Sequence, residues 1–194
     1  MPRAAPPLLP ILRSQTQARL LSALLLEPQR QWTVSALAQR AAVSQPTATR
    51  EVQRLERAGL LVVSGNRSAR NISVDTGSPY FSDLASLVLK AFGPVRVMAE
   101  ELAEIDGVEE AWLFGSWARR YLGGAGASPA DIDLLVVGRP DLDALAAATT
   151  RAGSTLGRPV GSTVLTREEW AAASSGFVRA VRDGARVWVW GDDR

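Results

Sequence analysis

The stretch Asp131-Ile132-Asp133-Leu134-Leu135-Val136-Val137 admits few structures. Its aliphatic and β-branched run reads as a buried strand, and the acids at its start fall at i and i+2, so both carboxylates leave the same face. Two like charges held so close are costly unless a cation joins them. A divalent ion would relieve the repulsion and could bridge the pair to a triphosphate, polarising its phosphoryl group. The chain contains no cysteine and no histidine, which removes disulfides, thiolate and imidazole zinc sites, cysteine nucleophiles and histidine bases. Any metal must sit on oxygen ligands, and magnesium or manganese suits them.

The surroundings of the acid pair read as an alternation of strands and helices. Asp106-Gly107 forms a turn before a strand from Val108 to Phe114, which ends at Gly115-Ser116 and a helix carrying Trp117, Ala118, Arg119 and Arg120. A Gly-Ser pair before a helix serves either as a simple turn and cap or as a phosphate cradle, with glycine allowing close approach and Ser116 donating to a phosphate oxygen. Trp117 has two readings as well, core packing and stacking on a base. After the glycine-rich loop 123–129 and the acid-pair strand, Asp141 and Asp143 look like caps for a helix from Leu142 to Leu156. A strand over Arg158 to Thr166 follows, then a helix capped by Thr166. Arg186 to Trp190 alternates as a last strand built for core.

Strand, Gly115-Ser116, helix, loop and Asp131-x-Asp133 in this order resemble the polymerase-beta-like nucleotidyltransferase superfamily, in its minimal members, over about residues 95 to 190. The resemblance implies that Gly115 and Ser116 hold a nucleoside triphosphate such as ATP, that Arg119 or Arg120 assists with its phosphates, and that Asp131 and Asp133 coordinate magnesium as catalytic carboxylates. It also implies a third carboxylate, on a later strand, to hold a second metal and deprotonate the attacking hydroxyl. The strand from Arg158 to Thr166 has no acid, and Gly161 or Thr163 stands at the matching place. Glu168 and Glu169 come only after it. An acid folded beside the pair, Glu168 being the candidate, would favour catalysis.

The first half of the chain has another character. Residues 1–75 carry ten arginines against Glu27, Glu51, Glu56 and Asp75, a charge of +6, and the remainder has twelve basic and sixteen acidic residues, −4. The basic half is the nucleic-acid candidate. Ser14 caps a helix running to about Glu27 with Leu20, Leu21, Leu24 and Leu25 at core spacing. Thr33 caps a second with Val34, Leu37, Ala38 and Ala41 on its stripe, and Ser44 starts a third over Gln45 to Ala58. That third helix turns Ala48, Val52, Leu55 and Gly59 inward, at i, i+4, i+7 and i+11. Its outer face is Gln45, Thr47, Thr49, Arg50, Gln53, Arg54 and Arg57, and such side chains can read base edges and neutralise phosphates. Leu60 to Val63, a turn at Ser64-Gly65-Asn66 and Asn71 to Val74 form a hairpin with Arg67 and Arg70 near its tip. The stretch Ser44-Gln45-Pro46-Thr47 to Arg50, followed by Leu55-Glu56-Arg57-Ala58-Gly59-Leu60, resembles bacterial winged-helix transcription regulators, over about residues 12 to 75. The resemblance implies DNA contact by Ser44, Asn66, Arg67 and Arg70 together with the outer face of the third helix.

Between the halves, Ser78 caps a helix with Pro79 at its first position and Leu84, Leu87, Val88 and Ala91 along one face, and a second helix runs from about Pro94 to Ile105. The expected chain is therefore α+β: a winged helix-turn-helix over 1–77, linking helices over 78–106, and a polymerase-beta-like α/β domain with a small mixed sheet over 107–194. The whole order looks like bacterial transcriptional regulators with a fused nucleotidyltransferase domain, binding double-stranded DNA as homodimers. The expected function is a DNA-binding regulator whose second domain binds a magnesium nucleotide with its catalysis in question. The alternative is an active nucleotidyltransferase acting on a protein, an RNA or a small molecule, as in a toxin–antitoxin pair; antibiotic adenylylation is weaker because no added substrate domain is evident. The opening residues are too broken by Pro6, Pro7 and Pro10 for a signal peptide, and no apolar run is long enough for a membrane span, so the expected location is cytoplasmic.

Overall fold

The computed structural model describes residues 14–66, 69–124 and 129–191, except the side chains of residues 66 and 69. These form two compact units that divide between Gly93 and Pro94. The two helices expected to link the halves are shared between them, one in each unit.

In the first unit, α1 (Gln15–Leu25) begins where the Ser14 side chain accepts from the Gln17 amide, and α2 (Val34–Arg40) where Thr33 accepts from Ala36. The hydroxyls satisfy amides that the first turn leaves without a partner. Helix α3 (Gln45–Arg57) takes Pro46 in its first turn without penalty. Ser44 has the extended backbone of a cap but makes no side-chain cap bond; its hydroxyl lies 2.8 Å from that of Thr47. Strands β1 (Leu61–Asn66) and β2 (Ala69–Val74) form an antiparallel hairpin, and Trp32 joins β2 through a bridge to Ile72. Leu20, Leu24, Trp32, Leu37, Ala48 and Ile72 are almost fully buried in one core.

Three expectations shift here. Gly59, expected on the inner face of α3, is exposed just past the helix, because its φ of +71° makes it the left-handed residue that ends α3. Ser64 and Gly65 lie within β1, paired with Asn71 and Arg70, so the ladder runs further toward the tip than the turn-forming composition suggests. Helix α4 (Phe81–Phe92) starts after Tyr80 and not after Ser78, because Ser78 closes a turn by accepting from the Phe81 amide through its carbonyl while its side chain is buried. Helix α4 packs along α1 and adds Val88 to the core.

The second unit is a four-stranded mixed sheet in the order β5-β4-β3-β6. Helix α5 (Pro94–Leu102) leads into β3 (Val108–Phe114), α6 (Gly115–Tyr121) and β4 (Ile132–Gly138). Helix α7 (Leu142–Leu156), capped by Asp141 alone, crosses over to β5 (Val160–Leu165), which is parallel to β4. Asp143 lies in the first turn of α7, where its charge suits the helix dipole. Helix α8 (Arg167–Ala172) begins with a capping box between Thr166 and Glu169, and α9 (Gly176–Asp183) leads into the edge strand β6 (Arg186–Gly191), antiparallel to β3.

One sheet face carries Ala111, Leu113, Leu134 and Val136, all buried, while α5 and α7 lie against each other and reach the outer strands β6 and β5. On the other, Trp112, Phe114, Leu135 and Val137 pack with Trp170 of α8 and Val181 of α9. Val189 of β6 is buried, but Trp188 is exposed, as an edge strand permits. No helix among the described residues is long and apolar enough to cross a membrane.

Candidate functional site

Two surfaces carry the expected chemistry, one in each unit. In the first, burial of Ala48, Val52 and Leu55 fixes the orientation of α3. At 100° per residue, the side opposite those three carries Pro46, Arg50, Gln53 and Arg57, with Thr47 and Thr49 on its flanks. Arg50, Gln53 and Arg57 are exposed and the two threonines half-buried. The arginines lie back along the helix, Arg50 Nε donating to the Pro46 carbonyl at 3.3 Å and Arg57 Nε to that of Gln53 at 3.2 Å. Such bonds limit the rotamers a guanidinium must lose on meeting DNA.

Other members of the expected DNA face are engaged within the protein. Arg54 forms an ion pair with Glu51 at 3.2 Å, so its charge is partly answered before any phosphate approaches. Gln45 Nε2 donates to the Ser35 hydroxyl at 3.2 Å, tying α3 to α2, and Thr49 donates to the Gln45 carbonyl at 2.9 Å. The hydroxyls of Ser44 and Thr47 bond to each other. Arg70 is exposed on β2 opposite Gly65, and Asn66 closes β1. Arg67 lies outside the described residues.

The second surface lies where β3 ends and β4 begins. Phe114 and Asp133 are partners across the antiparallel ladder, so Gly115 is set beside the Asp133 carboxylate. Gly115 has φ of +69°, a conformation that favours glycine, and a Cβ there would overlap Asp133 Oδ2 and come within 3.3 Å of its Cγ. Both backbone and space therefore demand glycine at this position.

Asp133 is half-buried and Asp131, just before the strand, is exposed. Burial raises the Asp133 pKa above the ordinary aspartate value, the Asp131 charge raises it further, and Arg119 opposes both. The two acids and Arg119 thus share one electrostatic neighbourhood. Ser116 follows Gly115 in the first turn of α6, which has no side-chain cap. Arg120 donates to the Gly124 carbonyl at 3.2 Å, holding the start of the following loop. Trp117 is 4% exposed, so it is core and not a stacking platform.

Glu168 does not approach this neighbourhood. Its pKa is lowered by hydrogen bonds from its own amide and the Thr166 side chain, with Arg139 adding to them. Arg139 follows the last residue of β4, and six strand residues at about 3.3 Å each separate it from Asp133 by about 20 Å. The residue before Glu168 tells the same story: Arg167 is paired with Glu109 and, at 3.7 Å, with Glu110, at the start of β3. The α8 acids belong to the opposite end of the sheet.

A feature not expected from sequence is the cover of this sheet face by α9. Phe177 meets Phe114 edge-on, with centroids 5.6 Å apart. Arg179 donates to the carbonyls of Ala173 and Ser174, and Arg182 to those of Trp170 and Ala171, closing the open end of α8. The Ser175 side chain, accepting from the Val178 amide, is the local signal that marks this helix.

Residues 13–70 match the family model described as MarR family. The chain is also similar to the crystal structure of a MarR family transcriptional regulator from Silicibacter pomeroyi DSS, at 24% identity and a TM-score of 0.30, over 43% of this chain and 60% of that one. The match thus spans less than two thirds of that regulator's length. No curated protein matches the chain. The N-terminal region is MarR-like and winged-helix in form, within a chain of mixed α and β structure.

Proposed function

We propose that the chain is a DNA-binding transcriptional regulator whose first unit reads double-stranded DNA and whose second unit, with a fold of the nucleotidyltransferase type, binds a magnesium nucleotide. The observation that carries the first part is the outward row of Arg50, Gln53 and Arg57 opposite the buried Ala48, Val52 and Leu55 on α3. A helix of this kind lies in the major groove, where Gln and Arg discriminate bases and Arg neutralises phosphates. The family match over residues 13–70 supports this reading. A homodimer would present two such helices to half-sites about one helical turn apart.

For the second unit, the cradle at Gly115 supports a metal-bound phosphate. A Cβ there would overlap Asp133 Oδ2, so glycine lets the turn into α6 lie directly against the carboxylate. Asp131 and Asp133 would hold one magnesium ion, with Ser116 and Arg119 beside it for the phosphates. The metal would supply charge neutralisation between carboxylates and triphosphate. Binding of the nucleotide would then be the signal that the regulator senses.

The test measures affinity for a duplex selected by the full chain from a random pool, across a range of salt. Replacing Gln53 by alanine should cost about 1–3 kcal/mol on the selected duplex and little on random DNA. Arg57→Ala should instead weaken both and reduce the salt slope by about one. Unchanged binding in both variants would overturn the DNA reading. Magnesium-dependent nucleotide binding that survives in Asp131→Asn/Asp133→Asn would overturn the assignment of the second site.

A further inference from the structure

The register of β5 decides what stands beside the two acids. Asp133 is paired with Gly161 and Leu135 with Thr163 across a parallel ladder, and partners in such a ladder point to the same face. Gly161 is therefore the β5 position whose side chain would meet the Asp133 carboxylate. A Cβ built there finds nothing within 4 Å, and the residue is exposed. The place is open and carries no ligand. Glu168, the nearest acid after β5 in sequence, is held at the other end of the sheet, as Arg139 shows. Among the described residues no three acidic side chains converge as metal ligands.

Nucleotidyl transfer makes a bond from an acceptor oxygen to the α-phosphorus and breaks the α–β bridge, releasing pyrophosphate. Two-metal catalysis of such a displacement holds the entering and leaving oxygens on separate ions about 3.5–4 Å apart. The carboxylates of Asp133 in β4 and Asp131 just before it can anchor one ion. A second ion beside the attacking oxygen would have to be held by a group from the neighbouring strand, which brings only hydrogen at Gly161. The same vacancy leaves no carboxylate there to take the acceptor's proton.

We propose that glycine at position 161 limits this centre to one divalent cation per chain, so that it holds a nucleoside triphosphate without transferring it. The inference rests on the nucleotide reading above. It makes the second unit a binding device whose occupant persists until it dissociates, which suits a sensor coupled to DNA affinity.

The experiment counts Mn²⁺ bound to the full chain by electron paramagnetic resonance, with the α,β-methylene analogue of ATP present. Pyrophosphate release from ATP is followed in parallel. Wild type should bind one Mn²⁺ and release no pyrophosphate. Gly161→Asp should bind two, and the neutral isostere Gly161→Asn one, which controls for the added bulk. Two ions or pyrophosphate release in wild type would overturn the proposal, as would a single ion in Gly161→Asp when far-ultraviolet circular dichroism shows it folded. Failure of wild type to bind the analogue at all would instead remove the nucleotide reading, and this inference with it, and is recognised by absent nucleotide and not by ion number.

Discussion

Replacing Gly115 by alanine tests the geometry of the acid pair directly. The backbone at φ of +69° costs an L-residue about 1–2 kcal/mol. The added methyl also overlaps Asp133 Oδ2, so the carboxylate must turn away, and a combined loss of about 2 kcal/mol lies within the range for such strained positions. With a urea slope of about 2 kcal/mol per molar, the midpoint should fall by about 1 M. Tryptophan fluorescence is the suitable assay, because five of the six tryptophans lie in the second unit. The steric part can be isolated in an Asp133→Ala background. There the overlap is gone, only the backbone cost remains, and the two substitutions should show a coupling of about 1 kcal/mol. An unchanged midpoint in Gly115→Ala would refute the backbone argument. An equal loss in both backgrounds would refute the close approach of Gly115 to Asp133.

Asp133→Asn should raise the stability of the metal-free chain at pH 7. The folded-state pKa of Asp133 is raised by burial and Asp131, so its favourable contribution is full below the ordinary aspartate value and lost as pH rises through the folded one. The advantage of asparagine should therefore shrink as pH falls to about 4 or below, the unfolded-state region of an aspartate; thermal melts across pH check it, and a less stable asparagine variant at pH 7 would contradict the sign. Added Mg²⁺ should raise the melting temperature of wild type more than that of Asp133→Asn, since the neutral amide is the poorer ligand, and equal shifts would remove Asp133 from the ion's ligands. Thr166→Ala removes the hydroxyl that accepts from the Glu169 amide in the α8 capping box, leaving the backbone amide of residue 166 to donate to Glu169, and should cost about 1 kcal/mol in urea unfolding, with no change in DNA affinity.

Local chemistry in the sequence announced much of this fold. Ser14, Thr33, Asp141 and Thr166 each precede a helix that their side chains cap, and the run from Val108 to Phe114 is a strand with the same bounds in both views. These signals act within four residues, where propensity and hydrogen bonding are decided. Ser78 shows the limit of the same logic: a serine before proline is an ordinary helix start, but its side chain is buried and the helix waits until Phe81. Arg54 shows another, since its place on the outer face follows from helical spacing, whereas its engagement with Glu51 depends on rotamers. Trp117 has the same sequence neighbours whether it stacks on a ligand or fills a core, and only packing makes it core.

The position of Glu168 turns on strand direction. An acid seven residues after Gly161 could return to Asp133 if β5 ran antiparallel to β4, because the chain would then leave β5 near the start of β4. The two strands are parallel, with α7 as the crossover, so each residue along β5 moves further from the acid pair. Nothing within Arg158 to Thr166 encodes that direction; it follows from the length of the α7 connection and from the burial of both β4 faces, conditions that favour a helical crossover between parallel strands. Once the direction is fixed, Thr166 and its helix must start beside the end of β4, where Arg139, Glu109 and Glu110 supply partners of both signs. Of the α8 acids, Glu169 is thereby held in the capping box with Thr166 and Glu168 lies in the field of Arg139. The face beside Asp133 is left to Gly161, and the chemistry open to the site follows from that one pairing.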